Sequence, residues 1–153
     1  MSVWGAVPKD GLGPPVRLEG RFNAEAYCDV IASIMVPSAL DGSFPYCLYY
    51  FQQDRSPIHM AKSVTCLLEQ LGVMVLEWPP QGAGINICEK VWGAIKKALS
   101  RRPLQCDSQD ALWAAVEEGW GRLRTSDFAA RLFDSNLRRM AAVVAAGVNF
   151  NKY

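Results

Sequence analysis

An α/β layered domain, with helices packed on a mixed sheet, is the fold class that three features of this 153-residue sequence predict. Two short apolar runs, 46–51 and 73–78, are rich in aromatic and branched residues and read as buried strands. Stretches with apolar residues at helical spacing separate and follow them. The resulting order of hairpin, helix, strand, helix, strand and further helices is that of helices layered on a sheet.

The hairpin comes first. Residues 2–7 and 15–19 read as short strands around a Lys9-Asp10-Gly11 turn. Asn23 is placed to cap a helix whose Tyr27, Val30, Ile31 and Ile34 share one face, and Pro37 predicts its end. The unbroken run Tyr46-Cys47-Leu48-Tyr49-Tyr50-Phe51 suits a central strand covered on both faces. Ala61, Val64, Leu67, Leu68 and Leu71 then mark a helix stopped by Gly72, before a second buried strand over Val73 to Trp78. Asn86 opens a helix with Cys88, Val91, Trp92, Ile95 and Leu99 on its core face and Pro103 at its end. Two more helices follow, capped by Asp107 or Ser108 and by Ser126. No repeat, low-complexity stretch or composition shift divides the chain, so residues 1–153 are expected to form one domain.

Composition narrows the function classes. Half the residues are hydrophobic, a fifth are charged, and the net charge is +1, so bulk electrostatics give no case for nucleic-acid or membrane binding. The five cysteines, at 28, 47, 66, 88 and 106, are odd in number and never fall as C-x-x-C. That argues against a disulfide framework or a zinc site and predicts five buried thiols in a reducing compartment. The N-terminus lacks the layout of a signal peptide. The apolar run from Met140 to Val148 is about half a membrane span.

Two carboxylates carry the chemistry. Asp54 leaves the first apolar strand within Gln52-Gln53-Asp54-Arg55-Ser56-Pro57-Ile58-His59, and Glu89 opens the Asn86 helix after 34 intervening residues. Strand carboxyl ends collect ligands in open α/β sheets, and carboxylates on rigid elements suit a divalent cation. Each acid has a second reading. Glu89 is three residues after Asn86, the place of a capping-box acid, and Asp54 suits an ordinary turn. Lys96 falls within roughly 20° of Glu89 on a helical wheel, while Lys90, Lys97 and Arg101 form a basic face continued by Arg102. Those cations suit phosphate contacts, and equally the negative end of the helix dipole. Arg55 is placed either to pair with Asp54 or to meet a phosphate. His59, the single histidine, reads as structural.

At these motifs the chain resembles the catalytic domain of Tc/mariner-type DDE transposases. The family pattern Q-Q-D-N-x-P-x-H is met by Gln52, Gln53, Asp54, Pro57 and His59. The pattern W-P-x-x-S-P-D-L-N-P-I-E-N-x-W is met by Trp78, Pro79, Asn86, Glu89 and Trp92. Trp4-Gly5-Ala6, Asp134-Ser135, Arg138-Arg139, Ala142-Val143 and Lys152-Tyr153 resemble further family signatures, so the likeness runs from residue 2 to 153.

The resemblance implies an RNase H-like fold and metal-dependent cleavage and transfer of DNA strands. Asp54 and Glu89 would be the second and third of three acids that hold two Mg²⁺ or Mn²⁺ ions. It also implies DNA as partner, a homodimer, no membrane, and a nuclear place of action. The family's first catalytic Asp lies on a strand ahead of the W-G-A strand, and no acid precedes Trp4 here. The expectation is therefore an N-terminally truncated domain lacking its first strands and inactive alone. Gly82-Ala83-Gly84 in place of Ser-Pro-Asp, and Ile87 in place of proline, should loosen the approach to Glu89. A binding module without cleavage is the alternative reading, resting on the basic helix face.

Overall fold

The hairpin forms with shorter strands than predicted. In the computed structural model, which describes residues 1–42, 44, 46, 48–77, 86–101 and 108–145, β1 (Ser2–Trp4) pairs antiparallel with β2 (Val16–Leu18), Val3 opposite Arg17. Gly11, at φ 147°, takes a backbone conformation that side chains disfavour. Its N–H donates to the Pro8 carbonyl, while Gly13 N–H donates to that of Ala6.

The described elements fall into two compact units. The first joins the hairpin to the three C-terminal helices: α4 (Ile87–Ser100), α5 (Gln109–Arg124) and α6 (Phe128–Ala145). Predicted cap residues start them. Asn86 Oδ1 accepts from Cys88 N–H at 3.0 Å, and Ser108 Oγ from Ala111 N–H at 3.1 Å. Ser126 Oγ accepts from Phe128 N–H at 3.2 Å. Each satisfies a helix N–H that has no partner inside the helix.

Leu12, Val91, Ile95, Trp120 and Ala129 form the core of this unit. Trp120 is its largest member, its ring tilted against that of Trp92 at 5.0 Å and its Nε1 donating to the Gly13 carbonyl at 2.8 Å. A β-carbon at Gly5 would run into the Trp120 ring. The small residue in Trp4-Gly5-Ala6 therefore admits the indole that pins the hairpin to α5. Arg17 adds an ion pair from β2 to Asp110, in the first turn of α5.

The second unit holds the middle of the chain. Asn23 caps α1 (Ala24–Val30) by accepting from Ala26 N–H at 2.9 Å. The predicted stop before Pro37 does not occur. A π-helical turn, Ile31–Met35, carries the chain into α2 (Val36–Asp41), where Pro37 lies in the first turn. Proline lacks a donor and crowds the carbonyl four residues back, and a widened turn accommodates both defects. The wider turn also shifts the apolar phase: Tyr27, Ile31 and Met35 are buried, while the predicted Ile34 is only half-buried.

Helix α3 (Lys62–Gln70) packs on α1 through Val64 and Leu68. It ends at Gly72, φ 66°, with Gly72 N–H donating to the Glu69 carbonyl and Val73 N–H to that of Leu68, a Schellman closure. Strands β3 (Tyr50–Phe51) and β4 (Met74–Val75) flank it and pair in parallel, Tyr50 opposite Met74.

Both predicted strands shrink to these two-residue pairs and are not covered on both faces. Tyr46, Leu48 and Tyr50 are 83%, 75% and 70% exposed, and Met74, Val75 and Leu76 are also exposed. On the other side of β3, Tyr49 Oη lies 3.8 Å from Met35 Sδ and its ring 5.2 Å from that of Phe44. Around β3, alternation thus gives one packed and one open face, whereas Met74, Val75 and Leu76 are exposed in succession. Parallel and antiparallel pairing are both present, but among the described residues they form two separate ladders rather than a single mixed sheet.

The cysteine expectation holds only in part. Among the described residues Cys28, Cys66 and Cys88 are free thiols, yet Cys66 is exposed and the other two are half-buried. Cys47, Cys106, Trp78, Pro103 and Asp107 lie outside the described residues. No described helix is long and apolar enough to cross a membrane.

Candidate metal centre

Asp54 stands three residues beyond the carboxyl end of β3, in the second unit. Its Oδ1 accepts the Ser56 N–H at 2.9 Å, forming an Asx turn that brings the chain round to His59. Oδ1 also lies 2.6 Å from His59 Nδ1. Partial burial opposes ionisation of Asp54. The Ser56 N–H, the charge of His59 and the side-chain hydrogen bonds of both outweigh it, holding the carboxyl below its usual range. The side chain is still 57% exposed, so an ionised oxygen faces outward from a fixed turn.

His59, read from the sequence as structural, meets the Asp54 carboxylate through its ring. Its ring stacks on Tyr27 with centroids 4.2 Å apart. Tyr27 Oη donates to Gln53 Oε1 at 2.8 Å, and Gln53 Nε2 donates to the His59 carbonyl at 3.3 Å. The Gln53-Asp54…His59 stretch is thereby closed on itself and anchored to α1. The signal available in sequence was the recurrence of polar residues around a Ser-Pro turn. Arg55, expected as a possible partner of Asp54, is exposed and has no ion pair among the described residues; His59 takes that place.

Glu89 lies in the first turn of α4, in the other unit, and is exposed. The reciprocal capping-box bond from Asn86 N–H to its carboxylate is absent; Asn86 caps through Cys88 N–H alone. That leaves the acid available, and the helix N-terminus favours its charge. The neighbouring Cys88 thiol is pushed up to about 11 by burial and by the negative charge of Glu89, against a hydrogen bond with the Val7 backbone. Lys90, Lys96, Lys97 and Arg101 are all exposed along α4 and have no ion-pair partner among the described residues. Arg102, Trp78, Pro79, Gly82–Gly84, Lys152 and Tyr153 lie outside the described residues.

The donor chemistry fits a hard divalent cation: two carboxylates, one held ionised and both exposed. Among the described residues no cluster of three His, Cys, Asp or Glu side chains gathers at one place. Asp54 and Glu89 belong to different units, and each is therefore a ligand candidate in its own right.

No family model matches the chain. It is 28% identical over 156 aligned positions to the Tcb1 transposable element transposase of Caenorhabditis briggsae, an alignment that covers all of this chain and 54% of that protein. Among solved structures it is similar to the Mos1 transposase catalytic domain with raltegravir and Mn, with a TM-score of 0.79 and 18% identity over 97% of this chain and 76% of that one. The crystal structure of the Mos1 mariner catalytic domain gives 0.76 at 18% identity, covering 97% and 75%. The Mos1 mariner paired end complex with Mn gives 0.77 at 16%, covering 97% and 44%.

The fold is thus that of a mariner transposase catalytic domain, RNase H-like in architecture. In sequence the chain is similar to the Tcb1 transposase, and it spans about half the length of that relative.

Proposed function

We propose that this chain contributes to a metal-dependent DNA strand-transfer site of the Tc/mariner type, acting in the nucleus, with Asp54 and Glu89 as two of its acids. The observation that carries the reading is the Asp54 carboxylate, held ionised by Ser56 and His59 just beyond a parallel strand. A divalent cation bound there supplies charge neutralisation at a phosphodiester and polarises its oxygens. Asp54 and Glu89 would hold Mg²⁺ or Mn²⁺ as hard oxygen donors. The Asx turn and the Asn86 cap fix the backbone from which each acid projects. Exposed Lys90, Lys96, Lys97 and Arg101, continued in sequence by Arg102, offer phosphate contacts that carry no base information.

Cleavage by the isolated chain is expected to be weak, since the two acids have no third companion among the described residues and misplaced ligands cost orders of magnitude. Incubation with supercoiled plasmid in Mn²⁺ tests the reading. Mn²⁺ binding that weakens in both Asp54→Ala and Glu89→Ala, with little or no nicking by the isolated chain, is the expected result. Nicking that survives both substitutions, or no Mn²⁺ binding at all, would overturn it.

The exposed cations of α4 favour a second reading, a DNA-binding module without cleavage. It predicts duplex affinity that falls steeply with salt and is reduced by Lys97→Ala and Arg101→Ala, whatever becomes of the acids. A homodimer is part of the first reading and is checked by sedimentation of the chain with and without duplex DNA.

A further inference from the structure

We infer that His59 is the positioning residue of Asp54: its Nδ1–H holds Oδ1, so that Oδ2 is the oxygen given to a divalent cation. The inference rests on the reading of Asp54 as a metal ligand. Oδ1 already receives two partners, Ser56 N–H at 2.9 Å and His59 Nδ1 at 2.6 Å. Both of these bonds end on the same oxygen of the carboxylate. A carboxylate free to rotate can offer either oxygen or both. One with a doubly engaged oxygen presents the other as a single, directed ligand. That matters for Mg²⁺, which demands near-octahedral placement.

The histidine is itself held at its ring and at its backbone. Its ring lies 4.2 Å from that of Tyr27, a residue of α1 that is 1% exposed. The His59 carbonyl is tied to Gln53 Nε2, and Gln53 Oε1 to the Tyr27 hydroxyl. A buried tyrosine, a glutamine and a histidine thus form a closed ring of contacts that bears on Asp54 through the imidazole. A merely packed histidine has no need of a ring nitrogen aimed at a half-exposed carboxylate. Partners of metal-ligating side chains typically change metal affinity by about 10–100-fold when removed.

Asparagine and glutamine separate positioning from packing. Asparagine places an amide nitrogen where Nδ1 stands, glutamine places one near Nε2, and both lose the stack on Tyr27, as alanine does. The full chain is titrated with Mn²⁺ alone, free Mn²⁺ being read by electron paramagnetic resonance. His59→Gln and His59→Ala should weaken binding about tenfold, while His59→Asn stays within a few-fold of the parent. Equal weakening in all three, or none in any, would overturn the inference. If Asp54→Ala leaves binding unchanged, the ligand reading of Asp54 fails instead, and the inference falls with it.

A second measurement needs no metal. As the chain has a single histidine, its ring nitrogens are unambiguous in long-range ¹⁵N spectra. The neutral ring should carry its proton on Nδ1 and lose that preference in Asp54→Ala. A proton on Nε2 in the parent chain would overturn the inference whatever the metal does.

Discussion

At Asp54 the folded chain favours the charged carboxylate, and this has a pH signature. A group whose carboxyl titrates lower in the folded state contributes stability above its unfolded value, here near 3.8, and loses it as pH falls through the folded value. The stability gap between the parent and Asp54→Asn should therefore be full at about pH 6 and close as pH drops below about 4, read by urea unfolding. Cys88 behaves oppositely. Its thiol is pushed from 9.0 to about 11, so the folded state holds a proton that the unfolded state releases. Stability should decline between about pH 9 and 11, and Cys88→Ala should flatten that limb. Native thiol labelling at about pH 8 should find Cys88 slower than exposed Cys66. Asp54 and Glu89 stand out in the sequence as candidates because residue type and motif spacing mark them. The link of His59 to Asp54 was not legible: it depends on an Asx turn and on a ring contact with Tyr27, 32 residues earlier, and no periodicity encodes either.

Helices were far more legible than strands. Asn23, Asn86 and Ser108 each make the backbone bond their residue type suggests, since a cap is a local interaction within three residues. Asn86→Ala should lower stability by about 1 kcal/mol and also disturb the turn that carries Glu89. Thermal unfolding and Mn²⁺ titration together would show both losses. Pro37 misled because its cost is absorbed by a π turn, a non-local solution made acceptable by burial of Ile31 and Met35. The apolar runs at 46–51 and 73–78 misled for another reason. Composition reports a preference for pleated, half-buried surface, but which layer covers that surface is a tertiary matter.

For the molecule as a whole, the open face is the main liability. Tyr46, Leu48, Tyr50, Met74 and Leu76 leave apolar surface exposed beside a two-stranded ladder. Exposed apolar patches next to strands favour association. Leu48→Lys with Tyr50→Lys should shift the chain toward monomer in sedimentation velocity without lowering its melting temperature.

The hydrogen bond from Trp120 to Gly13 bears on the order of assembly during synthesis, for it spans 107 residues. The hairpin emerges from the ribosome early and then waits, its indole anchor not yet translated. The middle unit, continuous from Glu19 onward, has its α1–α3 packing available long before. Long closures are slow because their entropy is lost before contacts reward it. Translation therefore completes the centre of this polypeptide first and its two ends together, last.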